Sequence, residues 1–505
     1  MNAFVQVPDG SLWRDVQLLS ESFYKRVPWE KFSQGFFSSL VTNIKGDIST
    51  MERFFKLKEH GTNVRTEIIA GMTTFMTMAY ILFVNNLFLG PDGAGIPQEG
   101  VFFATAVGAG LVTIVMGLFV NIPIALAPGM GLNAYFMTVV LSSNGAITWQ
   151  AALGAVFLSG IIFIILTVTK VRQLLLKAVP NNLKIAITVG IGLFITIVGL
   201  KLANLVMVKI NPGTDIAHPV AGGAFNLSLG NFIEQSDTLL ALIGLFLIAI
   251  LMVLKVKGAL LIGIVATTLI GIPMGVTDVS GLSGASWIPS FDNLAVGQMD
   301  LKGAIGIGLL EVIFIFTFVE LFDTFGTMVG TANRAGLLKN KEEGEKKLGK
   351  AMLVDAAGVS AGAFLGTSTV TAFVESASGV AAGGRTGLTA VTTGVLFVLS
   401  LFLAPLALVV PSAATAPALI IVGVLMMSQV REIDWDDFFV AFPAFMTIIL
   451  MPFTGGIANG ISAGIISYVI LAVFAKMTGR DTKVHWLMWV LFVIIILRYI
   501  FLGIE

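Results

Sequence analysis

"IPIALAPGMGLNAYFMTVVL", Ile122 to Leu141, is apolar enough for hydrocarbon and yet cannot be one continuous helix. Pro123 and Pro128 are followed by Gly129 and Gly131, so the residues before Asn133 cannot be regular helix without losing backbone hydrogen bonds. A second stretch, "GTSTVTAFVESASGVAAGG" (366–384), begins with alternating Thr, Ser and Val, which favour an extended strand, and only then turns helical. Each reads as a short strand running into a half-helix. Irregular backbone at membrane depth is tolerable only where it is buried in protein or lines a cavity, and the half-helix N-termini then aim N–H groups into the space between. That space is the expected ligand site.

The rest of the chain supplies the membrane context. Of 505 residues, 56% are hydrophobic and only 12% charged, with a mean hydropathy of +0.93, whereas a soluble domain is roughly a quarter charged. This composition is that of a polytopic membrane protein. Lys+Arg and Asp+Glu balance at 30 each, which gives no basis for a nucleic-acid partner. The absence of cysteine excludes disulfides, thiolate metal sites and cysteine nucleophiles, and His60, His218 and His485 lack metal-ligand spacing, so neither metal nor cofactor is expected. Residues 1–50 mix charges with single aromatics, have no apolar signal-peptide core, and read as a soluble N-terminal extension, a fusion remnant or the product of a misplaced start.

Crossing a ~30 Å hydrocarbon core takes about 20 helical residues. Apolar runs near that length fall at roughly 67–89, 100–120, 124–141, 149–169, 183–201, 238–254, 258–275, 301–331, 348–366, 369–382, 386–409, 415–429, 436–453 and 456–477. Basic residues collect after alternate runs: Lys170, Arg172 and Lys177, then Lys255 and Lys257, then "NRAGLLKNKEEGEKKLGK" (333–350), Arg385, Arg431 and Arg480 with Lys483. Positive-inside orientation then puts both ends of a fourteen-span domain in the cytoplasm, within a plasma membrane. The further run "VHWLMWVLFVIIILRYIFL" (484–502) reads as a peripheral or edge helix. "AVPNNLKIAITVGIGLF" around Pro180 resembles "VVPSAATAPALIIVGVL" around Pro411, a faint self-similarity. An odd-numbered unit of seven spans, repeated, must be inverted in the membrane, which points to alternating access.

The acids give the chemistry. Within the eighth run, "GAIGIGLLEVIFIFTFVELFDTFGTMVG" (303–330) carries Glu311, Glu320 and Asp323 with no basic residue inside it, and the tenth run carries Glu375 just past the expected strand. A charged side chain at mid-bilayer costs at least ~2.5–3.5 kcal/mol, so such residues normally face the bundle interior and take part in binding or proton relay. The competing reading is a protonated acid acting as structural glue. Burial raises a carboxyl pKa, which equips these groups to take up a proton on one side and release it on the other.

Four segments, "GMTTFMTMAYILFVNN" (71–86), "APGMGLNAYF" (127–136), "ELFDTFGTMVGTANRAGL" (320–337) and "GTSTVTAFVESASGVAAGGRTGLTA" (366–390), closely resemble the azaguanine-type purine permeases, a branch of the nucleobase:cation symporter-2 family. The resemblance covers essentially everything from Met51 onward. It implies an all-α membrane protein of fourteen spans in two inverted seven-helix repeats, with short strands in spans three and ten. It implies a core domain at 51–182 and 301–410 and a gate domain at 183–300 and 411–483; the N-terminal arm and the C-terminal hydrophobic helix at 484–505 depart from the family pattern, both outside the site. The implied activity is uptake of guanine, hypoxanthine or adenine by proton symport, with the core sliding against the gate as an elevator. By the same resemblance the substrate-binding acids are Glu375 and Asp323, supported by Asn133.

Purine chemistry agrees with those roles. A carboxylate can accept two of the base's N–H donors, so Glu375 is the expected direct contact, and Asp323 either contacts the base or carries the proton. The two acids titrate as a coupled pair in this reading, with Glu320 a third candidate for proton coupling. Phe322, Phe75 and Phe373 are candidates for stacking, each against the alternative of plain packing. Thr327 and Ser378 are hydroxyls near the expected site, and Gly131 lies at the start of its half-helix. A glycine stripe, Gly456, Gly460 and Gly464, fits intramolecular packing or a homodimer. Rival readings are a carrier of uracil, xanthine or an anion on the same fold, and an intramembrane hydrolase. The last is disfavoured because "GLSG" (281–284) sits in a polar loop with no histidine in a nearby span.

Overall fold

The computed structural model describes residues 50–501 apart from 144, 211–224, 284, 285, 290, 292, 338–340, 478 and 480–483. The expected N-terminal extension therefore lies almost wholly outside the described residues. The described residues divide into two units, 50–64 and 65–501. In the first, Lys56 pairs with Glu59 at 3.3 Å and Lys58 with Glu52 at 3.6 Å, surface pairs that contribute little to stability.

The second unit is helical. It opens with α1 (Val64–Met78) and α2 (Ile81–Leu89), one span broken at Ala79 and Tyr80, then α3 (Gln98–Val115), which ends in a π-helical turn at Met116–Val120. Strand β1 (Leu126–Pro128) leads into α4 (Met130–Ser142). There follow α5 (Trp149–Val168), the short α6 (Val171–Ala178) and α7 (Asn181–Leu202). An antiparallel hairpin of β2 (Val206–Ile210) and β3 (Phe225–Leu229), not expected from the sequence, precedes α8 (Ser236–Val253) and α9 (Ala259–Gly271). After α10 (Leu301–Ala304) come the long helices α11 (Ile307–Arg334) and α12 (Lys341–Leu365). Strand β4 (Val370–Ala372) runs into α13 (Ser376–Ala381). The remainder is α14 (Gly387–Leu399), α15 (Ala404–Val409), α16 (Ser412–Met427), α17 (Phe438–Phe453), α18 (Ile457–Met477) and α19 (Trp486–Phe501). Among the described residues nine helical segments are long and apolar enough to cross a membrane, so the chain is a helical polytopic membrane protein.

The proline-rich stretch and its partner form one object. β1 and β4 pair antiparallel, with Leu126 opposite Ala372, Ala127 opposite Thr371 and Pro128 opposite Val370. Two strands alone leave outer edges bare, which hydrocarbon does not tolerate, and side chains cover them. On the β1 side Thr113 Oγ1 accepts the Leu126 N–H at 2.8 Å and donates to the Leu126 carbonyl at 2.9 Å. On the β4 side Asp355 Oδ1 accepts the Ala372 N–H at 3.3 Å. Beyond the strand, the Ala125 N–H donates to Ser376 Oγ at 3.0 Å. A strand fragment thus survives at membrane depth because helices on both sides supply its missing partners.

Elsewhere α3 packs on α14 and α5 on α12, while α7 packs on both α16 and α17. Glycines set the closest approach between α7 and α16. A Cβ built on Gly423 would lie 2.6 Å from the Gly192 carbonyl oxygen, and one on Gly192 would lie 3.0 Å from the Gly423 carbonyl oxygen. Gly423→Ala is expected to force these helices apart and to cost about 1–3 kcal/mol, the usual scale of overpacking. A thermal-unfolding scan of the purified protein measures it, and an unchanged midpoint would mean that the crossing has slack.

Candidate functional site

Glu375 stands between β4 and α13, where the chain passes from strand to half-helix. It is half-buried, and its Oε1 accepts a hydrogen bond from the Tyr80 hydroxyl at 2.7 Å. Tyr80 has no exposed surface and occupies the break between α1 and α2. A broken span thus meets the strand-to-helix junction at a carboxylate, and the bond to a neutral phenol holds that carboxylate in place without neutralising it.

Asn133, in the first turn of α4, is fully buried. Its Nδ2 donates to Asn85 Oδ1 at 2.5 Å, and its Oδ1 accepts from the Ser368 hydroxyl. Asn85 Nδ2 reaches Thr105 Oγ1 at 2.6 Å and Thr367 Oγ1 at 3.0 Å. The amide of Asn133 is engaged at both ends inside the protein, so it clasps the start of α4 to α2 and to the segment before β4. Gly131 has a similar steric role, since a Cβ there would lie 2.7 Å from Ile191 Cγ2 of α7. Phe75 packs edge-on against Phe397, centroids 5.1 Å apart, and Phe373 is buried. Ser378 and Thr327 are half-buried. Phe322 and Asp323 lie in α11, as does Glu311, but their side chains fall outside the described residues.

Glu320 is buried on α11, with Oε1 3.0 Å from Thr324 Oγ1. Thr324 Oγ1 is 2.6 Å from Thr371 Oγ1 of β4, and Thr371 Oγ1 is 3.2 Å from Asp355 Oδ1 of α12. Asp355 Oδ2 is 3.5 Å from the guanidinium of Arg172, which also donates to the Met352 carbonyl and lies 4.2 Å from the centroid of the Phe163 ring. Arg172 and Asp355 are both fully buried. The sequence reading put Arg172 among loop cations; instead it folds back from α6 to pair with Asp355 of α12.

Sequence reasoning passed over Tyr80, Asn85, Asp355 and Glu67 as well. The signals were present: a tyrosine and an amide where an apolar span would take phenylalanine and leucine, and a lone aspartate in the ninth run. Glu67, fully buried on α1, accepts the Arg385 N–H at 2.8 Å, the Thr386 and Thr389 N–H groups at 3.2 Å, and the Thr389 hydroxyl at 2.6 Å. It caps α14 from another helix, satisfying the donors that every helix start leaves open. Glu67→Ala is expected to cost about 1–3 kcal/mol by stranding those N–H groups. Thermal unfolding would show a lowered midpoint, and an unchanged one would remove the capping role.

Among the described residues no group of three His, Cys, Asp or Glu is placed to hold a metal ion. A family model described as "Permease family" (Xan_ur_permease) matches residues 65–463. The adenine permease AdeP of Escherichia coli (strain K12) is 43% identical over 90% of this chain and 96% of its own length. The guanine/hypoxanthine permease PbuG of Bacillus subtilis (strain 168) is 44% identical over 90% of this chain and all of its own length. Among solved structures, the transmembrane domain of the cyanobacterial bicarbonate transporter BicA superposes with a TM-score of 0.52 at 16% identity, covering 81% of this chain and 97% of that one. At that identity the likeness is one of fold.

Proposed function

Because the chain belongs to the Xan_ur_permease family of permeases, the nucleobase:cation symporter-2 family, and is therefore not an enzyme, we propose that it imports purine nucleobases, guanine, hypoxanthine or adenine, by proton symport. The observation that carries this reading is the meeting of Glu375 and Tyr80 beside the β1–β4 ribbon. A half-buried carboxylate aligned by a phenol can take paired N–H donors from a purine edge, a pairing worth about 1.5–3 kcal/mol per charge-assisted bond. Asp323 is the second acid of the site in this reading, with Phe322, Thr327 and Ser378 beside it. Asn133 and Gly131 position the half-helix, and Phe75, which packs on Phe397 of α14, is the stacking candidate from α1.

The transport cycle in this reading is alternating access by fourteen spans in two inverted repeats, with a core at 51–182 and 301–410 moving against a gate at 183–300 and 411–483. Several features support a repeat. Pro180 and Pro411 each precede a long helix, α7 and α16, and Gly192 and Gly423, at the same offset of 231 residues, meet at the crossing of those two helices. Thr113 and Asp355 cover opposite edges of the ribbon in matching ways. The α7–α16–α17 packing belongs to the gate and the α3–α14 and α5–α12 packing to the core. The N-terminus is cytoplasmic in this reading, and α19 lies at the periphery.

An anion carrier on the same fold would need a cation free near the half-helix ends. Arg385, the nearest one in the sequence, donates from Nη1 to the Val380 and Gly384 carbonyls at 2.6 and 2.7 Å and so caps α13 instead. The test is uptake of labelled hypoxanthine, guanine, adenine and uracil into purine-uptake-deficient cells, with and without a protonophore. Purine uptake that the protonophore abolishes is expected. Uptake of uracil alone, or of no base, would overturn the reading.

A further inference from the structure

Four oxygens form a line through the buried core: Glu320 Oε1, Thr324 Oγ1, Thr371 Oγ1 and Asp355 Oδ1, separated in turn by 3.0, 2.6 and 3.2 Å. None of the four residues exposes more than 2% of its surface. Each hydrogen bond needs a hydrogen between its two oxygens, so the line needs three. The two threonine hydroxyls carry one each, and an ionised carboxylate carries none. With both acids ionised, one contact would therefore set two bare oxygens against each other. A proton on either terminal carboxyl completes the line.

The surroundings decide which end holds it. Asp355 faces the Arg172 guanidinium at 3.5 Å and also accepts the Ala372 N–H, and both contacts favour its ionised form. Glu320, on α11, is the other end, and the Arg172 charge acts on it as well, more weakly than on Asp355. We propose that Glu320 carries this proton and that the Glu320–Thr324–Thr371–Asp355 line is the carrier's proton site, separate from the base-binding Glu375; this rests on the transporter reading above. Among the described residues the charged groups facing the line are Glu320 from α11, Asp355 from α12 and Arg172 from α6. Asp323 shares α11, and Glu375 follows β4 with its Oε1 on Tyr80.

The transfer balances. Glu320 gives its proton to Thr324 Oγ1 as the Thr324 hydrogen passes to Thr371 and the Thr371 hydrogen passes to Asp355. One proton leaves Glu320 and one arrives at Asp355, while both hydroxyls keep one hydrogen with the line's polarity reversed. With the proton present, Glu320, Asp355 and Arg172 sum to zero charge. Without it a net negative charge stays buried, which is costly enough to tie proton occupancy to the state of the protein. Because Thr371 belongs to β4, the strand leading into Glu375, the proton and the base act on one element.

The experiment uses the full chain in liposomes. Infrared difference spectra at neutral pH should show a protonated-carboxyl carbonyl band that disappears in Glu320→Gln and persists in Glu375→Gln. In transport, Thr371→Val should lose accumulation of labelled hypoxanthine driven by a pH gradient while keeping hypoxanthine counterflow, which needs no net proton movement. Thr324→Val cuts the same line from α11 and serves if Thr371→Val does not fold. A band unchanged in Glu320→Gln, or gradient-driven accumulation unchanged in both threonine variants, would overturn the proposal. If the unaltered protein exchanges no purine, the transporter reading fails by itself, and the infrared band still decides whether Glu320 holds the proton.

Discussion

Glu375→Gln is expected to abolish purine uptake while the protein still reaches the membrane. The change replaces an acceptor-only carboxylate with an amide that presents its own donors, so two N–H groups of a base no longer find two acceptors. Losing about 3 kcal/mol of charge-assisted bonding lowers affinity by roughly a hundredfold. Tyr80→Phe removes only the bond that fixes the carboxylate, so its loss should be nearer tenfold, about 1.4 kcal/mol. Uptake at subsaturating hypoxanthine, normalised to protein in the membrane, orders the two. Equal uptake by Glu375→Gln and the unaltered protein would remove Glu375 from the site, and a Tyr80→Phe loss as complete as that of Glu375→Gln would mean that Tyr80 itself touches the base.

The second large effect is on stability. Arg172→Met strands Asp355 as a fully buried carboxylate with its guanidinium partner gone, and breaking a buried pair from one side costs about 3–5 kcal/mol. Much of this penalty comes from the leftover charge. Arg172→Met combined with Asp355→Asn should therefore recover most of the loss, since an asparagine oxygen can still accept from Thr371 and from the Ala372 N–H. Thermal unfolding of the purified variants separates the cases. A single Arg172→Met variant as stable as the parent would show that this pair does not hold α6 to α12.

Much of the architecture was legible because hydrocarbon imposes simple rules. Prolines and glycines at 123–131 forbid a helix there, and β-branched residues at 367–371 favour a strand, so the ribbon could be read before its pairing was seen. The β2–β3 hairpin was missed because its strands lie in a connection between apolar runs, where periodicity carries little weight. Glu375 and Glu320 announced themselves as acids in apolar runs. Arg172 did not, because a basic residue just after a span looks the same in sequence whether it meets water or folds back beneath the helices. The partners of Glu375 and Asn133 were hidden for a different reason. Tyr80 is 295 residues from Glu375 in the chain and Ser368 is 235 from Asn133, and such pairings are products of the fold.

The most direct measurement is a structure of the full chain with hypoxanthine bound. A base beside the β1–β4 ribbon, with its N–H edge within about 2.7–3.2 Å of the Glu375 carboxylate, is the predicted result. A base seated elsewhere, with Glu375 making no contact to it, would contradict the account.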